Sequence, residues 1–199
     1  MPTTIAFNLL GILVFFFIFW KKLKEDYISD IIFNTAFYIL LGYGVFFATS
    51  RFLLPQYWFW LSLGGYCLGL AMGIFKFKLH LYETIEAATI AYFPWLVLIF
   101  MADAIATSSI SSFCAALVCV LLIVLYVYLN KNYKKFSWYL SGRVGFSGLS
   151  VLAIFFLLRA TLAIFVPTVI SFVKAEVLIS GVLAFAFFFL VSSLARKKI

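Results

Sequence analysis

The sequence predicts an all-α, polytopic integral membrane protein with about seven transmembrane helices in a single domain. Of the 199 residues, 66% are hydrophobic and 11% are charged, and the mean hydropathy is +1.17. These values lie far from the averages of soluble domains. Apolar runs of about 17 to 25 residues, the length that crosses a bilayer as a helix, recur along the whole chain. This pattern leaves no room for a sizeable soluble domain.

The predicted spans are separated by charged, proline-containing or turn-forming segments. They cover approximately residues 4–20, 28–50, 57–75, 84–106, 112–129, 142–165 and 176–194. No charged region precedes the first run and no small-residue cleavage site follows it, which indicates a retained span rather than a signal peptide. We expect Pro94 to kink the fourth span. Gly65, Gly69 and Gly73 predict a ridge for close helix packing in the third.

The basic residues predict the orientation of the chain. Most of the 15 lysines and arginines follow the first, third, fifth or seventh span. Because basic loops favour the cytoplasmic side, we expect the N-terminus outside and the C-terminus in the cytoplasm, which requires an odd number of spans. The net charge of +8 has the same origin, so we expect no binding of nucleic acid.

Five charged residues are assigned by this topology to the outer half of the membrane: Arg51, Asp103, Arg159, Lys174 and Glu176. Arg159 lies inside the apolar sixth span, where an arginine costs about 2.5 to 3.5 kcal/mol even on insertion scales. In one interpretation Asp103 neutralises Arg159 and locks two helices together. In the other, Arg51 and Arg159 face a cavity and hold an anionic headgroup, because a guanidinium matches phosphate oxygens in a bidentate way. Both interpretations stay open.

Acidic residues at the inner end of the fourth span need no functional explanation. Glu83 and Glu86 lie near a helix N-terminus, where the helix dipole favours negative charge. His80, just before them, is interpreted as an interfacial loop residue. With one histidine and no phosphate-binding loop or metalloprotease motif, the sequence predicts no metal site and no cofactor.

Four segments, taken in chain order, resemble the prolipoprotein diacylglyceryl transferase family of bacterial inner membranes. They are the basic residues 21–24 before Ser29 and Asp30, the segment 42–51 that ends in an arginine, the glycine-rich segment 61–69, and the arginine-containing segment 157–159. The resemblance covers roughly residues 7–165. The family motif Gly-Arg-x-Gly-Asn-Phe is absent from residues 100–109, which marks a divergent or degenerate relative.

The resemblance implies a multi-pass protein of the bacterial cytoplasmic membrane that transfers a diacylglyceryl group to the cysteine of a lipoprotein precursor. The donor would be phosphatidylglycerol or another anionic phospholipid, and the signal peptide of the precursor would be a partner. Arg159 and Asp103 would be the catalytic residues, with Asp103 as the base for the thiol. Arg51, Gly64 and Gly65 would bind the donor. The alternative is a non-catalytic membrane protein that binds phospholipid or assembles with partners, with a structural Arg159–Asp103 pair.

Overall fold

The computed structural model describes residues 2–136, 139, 145–165 and 172–196 of the chain. Seven long helices account for most of these residues, and each is long and apolar enough to cross a membrane. The predicted all-helical architecture is thereby confirmed, with seven helices that could span a membrane. In chain order the helices are α1 (Pro2–Leu23), α2 (Ser29–Leu53), α3 (Trp58–Phe77), α4 (Leu81–Thr107), α5 (Ile110–Asn132), α6 (Phe146–Phe165) and α7 (Glu176–Ala195).

The helices coincide with the predicted spans and extend beyond most of the predicted ends. α1 continues through Lys21 and Lys22, because a lysine stem can lie along an apolar helix while its ammonium stays in the interface. α7 begins at Glu176, the predicted residue. Residues 142–144 of the predicted sixth span lie outside the described residues.

α4 is the central helix of the bundle. Of the residues in its most apolar stretch, 67% are buried, a larger share than in the six other spans. α4 packs against α1, α5 and α6. Ala87, Ala88 and Ala91 are buried on it, and such small side chains let neighbouring membrane helices approach closely. The helix continues through Pro94 to Thr107. Residues near the two ends of α4 therefore face several other helices at once.

The glycines of α3 form a ridge for close packing, as the sequence predicts, and the structure shows that α2 is the helix packed on it. A Cβ added at Gly65 would lie 2.3 Å from the carbonyl oxygen of Gly42, and one added at Gly69 would lie 2.3 Å from that of Tyr38. At Gly73 it would lie 2.5 Å from a methyl group of Thr35. No side chain fits at such distances, so the close approach of the two helices requires glycine.

The alternating helices give the bundle two chemically different ends. The basic end carries the lysines that follow α1 and α3, and there Lys22 of α1 contacts Glu86 of α4. The opposite end carries Arg51 of α2 and Asp103 of α4, which line one cavity. α1 begins at this opposite end, and α7 runs from it to the basic end. The charged residues of the two ends are therefore separated by the apolar length of the bundle.

Candidate functional site

A polar cavity opens at the opposite end of the bundle, and we treat it as the candidate site. Its volume is about 430 Å³, within the range of about 300 to 1,000 Å³ that small-molecule sites occupy. The start of α1, the end of α2, the start of α3 and the end of α4 enclose it. The lining residues are Thr4, Asn8, Tyr43, Phe47, Arg51, Pro55, Gln56, Trp58, Ile99, Phe100, Asp103 and Ala106.

Arg51 supplies the positive charge of the polar cavity. It lies in the last turn of α2, where the unpaired carbonyls of a helix end favour a cation. The guanidinium carbon is 5.4 Å from the centre of the Phe47 ring, one turn earlier on the same wall. The guanidinium therefore packs on the Phe47 ring, while the Arg51 side chain stays exposed.

Asp103 supplies the negative charge and is held by the turn between α4 and α5. Its Oδ2 accepts a short hydrogen bond from the buried Ser112 hydroxyl of α5. Ser109 caps α5 by accepting from the Ser112 backbone N–H at 3.3 Å, which fixes the position of Ser112. The left-handed backbone of Ser108, with φ of 52°, completes this tight turn. The carboxylate is therefore oriented by the cap of the next helix.

The two charges of the polar cavity do not neutralise each other directly. No ion pair joins Arg51 to Asp103 within the described part of the chain. The Asp103 Oδ1 atom also has no hydrogen-bond partner there. Asn8 donates from Nδ2 to the Thr4 carbonyl at 2.8 Å, so its side-chain oxygen remains an acceptor. The lining of the cavity thus carries both a cation and acceptor oxygens.

Arg159 lies elsewhere, buried at the contact of α6 with α7. Its Nε donates to Glu176 Oε1 at 2.9 Å, and the exposed fractions of the two residues are 5% and 1%. Trp60 Nε1 donates to Glu176 Oε2 at 3.0 Å, and the Ser180 hydroxyl donates to Oε1 at 2.7 Å. The guanidinium carbon is 3.7 Å from the centre of the Phe59 ring. Both ions are therefore paired, hydrogen-bonded and covered by aromatic rings.

The expectation that Arg159 pairs with Asp103 is wrong, because the carboxylate that pairs with Arg159 is that of Glu176. α6 and α7 are antiparallel neighbours in close contact, so the first residue of α7 faces the C-terminal half of α6. Asp103 is held instead by Ser112. Arg159 also lines a separate, mostly apolar cavity of about 350 Å³. Phe100 lines both cavities and is part of the wall between them.

The two glycines expected to bind a phospholipid donor are not among the residues that line the polar cavity. Gly65 is buried against the backbone of Gly42, so helix packing explains its position. Gly64 has open space where a Cβ would stand. Of the five expected site residues, the structure brings together Arg51 and Asp103 in one cavity and leaves Arg159, Gly64 and Gly65 outside it.

Glu86 has a structural position that the sequence interpretation missed. It is 4% exposed, and its Oε1 lies 2.9 Å from Lys22 Nζ and accepts from the Tyr126 hydroxyl at 2.9 Å. Its Oε2 accepts from the Gly145 backbone N–H at 3.1 Å. One carboxylate therefore joins α1, α4, α5 and the residue before α6. A carboxylate inside an apolar helix usually has such partners, and that signal could have identified it.

A small hydrogen-bonded cluster closes the basic end beside Glu86. The Tyr27 hydroxyl accepts from the His80 backbone N–H at 2.9 Å and lies 3.3 Å from Glu83 Oε2. Partial burial raises the pKa of Tyr27, and the negative charge of Glu83 raises it further, while the His80 N–H lowers it. Within the described ranges, no group of three or more histidine, cysteine, aspartate or glutamate side chains is placed to hold a metal ion. We interpret this cluster as structural, because it joins the loop between α1 and α2 to the loop between α3 and α4 and to the start of α4.

Comparison of the chain with family models, curated proteins and solved structures gives no match. The resemblance to the diacylglyceryl transferases therefore stays a prediction, supported by the sequence segments that carry it. What the polar cavity does has to be argued from its own chemistry.

Proposed function

We propose that this protein is a non-catalytic membrane protein that binds the headgroup of a phospholipid in the polar cavity. The observation that carries the proposal is the burial of Arg159 against Glu176. A carboxylate already neutralises Arg159 and aromatic rings cover it, and the cavity that it lines is mostly apolar, so Arg159 is poorly suited to hold a phosphate. The arginine of the polar cavity is Arg51, which has no carboxylate partner in the described residues.

The position of the polar cavity supports a lipid as the ligand. It lies at the ends of apolar helices, the level at which headgroups meet a membrane protein. Tyr43, Phe47 and Trp58 form part of its wall, and aromatic side chains are enriched at that level. A phosphate seated on Arg51 could receive two parallel hydrogen bonds. The acyl chains would then lie along the apolar outer faces of the neighbouring helices.

We further propose that the protein lies in a bacterial cytoplasmic membrane with its N-terminus outside. The concentration of lysines at the basic end supports this orientation through the positive-inside rule. The polar cavity would then open toward the outer leaflet.

The test is phospholipid binding by purified protein in mild detergent, measured by native mass spectrometry. The Arg51→Gln variant is compared with Arg196→Gln, which makes the same change at an exposed residue of the basic end. We expect Arg51→Gln to weaken binding about tenfold, the effect of losing one charge-assisted hydrogen-bond pair worth about 1.5 kcal/mol. Arg196→Gln should bind as the wild type does. Equal binding by all three proteins would contradict the assignment of the site.

A second candidate function is diacylglyceryl transfer, which one observation favours. Arg51 and Asp103, a cation for phosphate and a base for a thiol, line the same cavity. In this reaction the thiol sulfur of the acceptor cysteine attacks the phosphate-bearing carbon of the diacylglycerol moiety of phosphatidylglycerol. The bond from that carbon to the phosphate oxygen breaks, glycerol phosphate leaves with the electron pair, and Asp103 accepts the thiol proton.

The two functions differ in whether product forms. Labelled phosphatidylglycerol and a lipobox peptide are incubated with the folded, lipid-bound protein. We expect no labelled peptide. If labelled peptide forms with wild type and fails to form with Asp103→Asn, the non-catalytic proposal is wrong and the transferase is correct.

A further inference from the structure

The polar cavity has a charge pattern that selects among phospholipids, and this inference rests on the proposed function. We propose that the cavity recognises a zwitterionic headgroup, in which an anionic phosphate is joined through two carbons to a primary ammonium. The phosphate would lie on Arg51 and the ammonium on Asp103. This is the chemistry of phosphatidylethanolamine rather than of the anionic donor expected from the sequence.

The balance of charge inside the polar cavity favours a zwitterion. A cavity with Arg51 alone would favour an anionic lipid. Here Asp103 lines the same space, and no ion pair cancels either charge within the described residues. An anionic headgroup would gain the attraction of Arg51 and suffer the repulsion of Asp103. A zwitterion gains both attractions, and Coulomb energies near a protein surface are larger than in bulk water because the effective dielectric constant is lower.

The lining that contains Asp103 carries several acceptor oxygens. A primary ammonium carries three N–H donors and no acceptor. Asp103 Oδ1 and the side-chain oxygen of Asn8 have no hydrogen-bond partner in the described chain, and Thr4 adds a hydroxyl to the same lining. A quaternary ammonium has no N–H to give to these oxygens. The cavity therefore favours the primary amine over choline.

The Asp103 carboxylate is held in a fixed position. Ser112 holds Asp103 Oδ2, and the cap of α5 holds Ser112. The carboxylate consequently loses little conformational freedom when it binds a ligand, which favours affinity. The ring of Trp58 in the same lining can add a cation–π contact to an ammonium.

The experiment measures a ranking of lipids by native mass spectrometry. The purified wild-type protein is titrated separately with phosphatidylethanolamine, phosphatidylglycerol and phosphatidylcholine of identical acyl chains. Two further arms use free phosphoethanolamine and free glycerol phosphate, because the same headgroup chemistry occurs in a soluble ligand. We expect phosphatidylethanolamine to bind at least about fivefold more tightly than either other lipid. Tighter binding of free phosphoethanolamine than of the lipid would assign the site to a soluble zwitterion and overturn the lipid source.

Charge variants then assign the ranking to Asp103. Asp103→Asn keeps an oxygen for Ser112 and removes the negative charge. We expect it to bind phosphatidylethanolamine about tenfold more weakly and phosphatidylglycerol more tightly than wild type does. Asp26→Asn, at an exposed residue of the basic end, is the matched control and should keep the wild-type ranking.

The outcomes separate this inference from the proposed function. Failure of all three lipids to bind would contradict the proposed function itself. Binding of phosphatidylglycerol as tight as that of phosphatidylethanolamine would leave phospholipid binding intact and overturn the zwitterion inference. Equal binding of phosphatidylcholine would overturn the role of the N–H donors. The wild-type ranking decides these points even if Asp103→Asn does not fold.

Discussion

Arg159 is the residue that the apolar sixth span makes most expensive to bury. A guanidinium at this depth persists because its attraction to a carboxylate, its hydrogen bond to that carboxylate and its contact with an aromatic ring offset the loss of water. Glu176, Phe59 and Trp60 provide this environment. Removal of one ion leaves the other buried without its countercharge, whereas removal of both does not.

The first prediction concerns this buried pair. Arg159→Leu and Glu176→Leu should each lower the free energy of unfolding by about 3 to 5 kcal/mol. The double variant should be much less destabilised than the sum of the two. The measurement is reversible unfolding in mixed micelles, analysed as a double-mutant cycle. Asp103→Asn is the control, and it should not couple to Arg159→Leu. Additive effects of Arg159→Leu and Glu176→Leu would contradict the pairing.

The sequence predicted that Arg159 needs a partner but not which residue it is. Asp103 and Glu176 are both assigned to the same half of the membrane, so depth does not distinguish them. The choice depends on which helices are neighbours and on how each helix is rotated, and neither follows from the positions of charges along the chain. Glu86 was missed for a related reason. Its partners Lys22, Tyr126 and Gly145 come from three distant parts of the chain.

Among the helices, the glycine ridge of α3 is predicted best, although the sequence does not indicate which helix packs on it. The spacing of Gly65, Gly69 and Gly73 indicated a packing ridge, and each of the three lies against α2. Small residues spaced four apart fall on one face of a helix, so sequence alone defines the ridge. The neighbouring Gly64 lies off that face. Gly64 is a suitable control because it is the same residue type as the adjacent Gly65 and lies on another face of the same helix.

The second prediction compares these glycines. A Cβ at Gly69 would meet the Tyr38 carbonyl oxygen at 2.3 Å, while one at Gly64 would meet nothing within 4 Å. Gly69→Ala should therefore destabilise the protein by about 1 to 3 kcal/mol through overpacking. Gly64→Ala should be neutral or stabilising by up to about 1 kcal/mol, because alanine is the better helix former. The measurement is the melting temperature of both variants in one detergent. A larger loss for Gly64→Ala would contradict the observed face.

At the scale of the whole molecule, charge is arranged along the axis of the bundle. The lysines after α1 and α3 lie at one end, and Arg51 and Asp103 line a cavity at the other. The helical count, the helix ends and this polarity follow from composition and loop charges. The polar cavity does not, because it forms only where the ends of four helices meet.

The third prediction concerns orientation in the membrane. From the positive-inside rule we expect the basic end, and with it the C-terminus, to lie in the cytoplasm. A reporter that is active only in the cytoplasm, fused after the last residue, should be active. A second fusion to the N-terminus should be inactive. The opposite pair of results would reverse the orientation, and the polar cavity would then open to the inner leaflet.

The most direct test of lipid binding is a cryo-electron microscopy structure in phosphatidylethanolamine-containing nanodiscs, with a bound antibody fragment for alignment. We expect density for a headgroup in the polar cavity, with its phosphate against Arg51 and its amine beside Asp103. We also expect Arg159 to stay paired with Glu176. An empty cavity in which Arg51 bonds directly to Asp103, or a phosphate seated on Arg159, would contradict the proposed binding site.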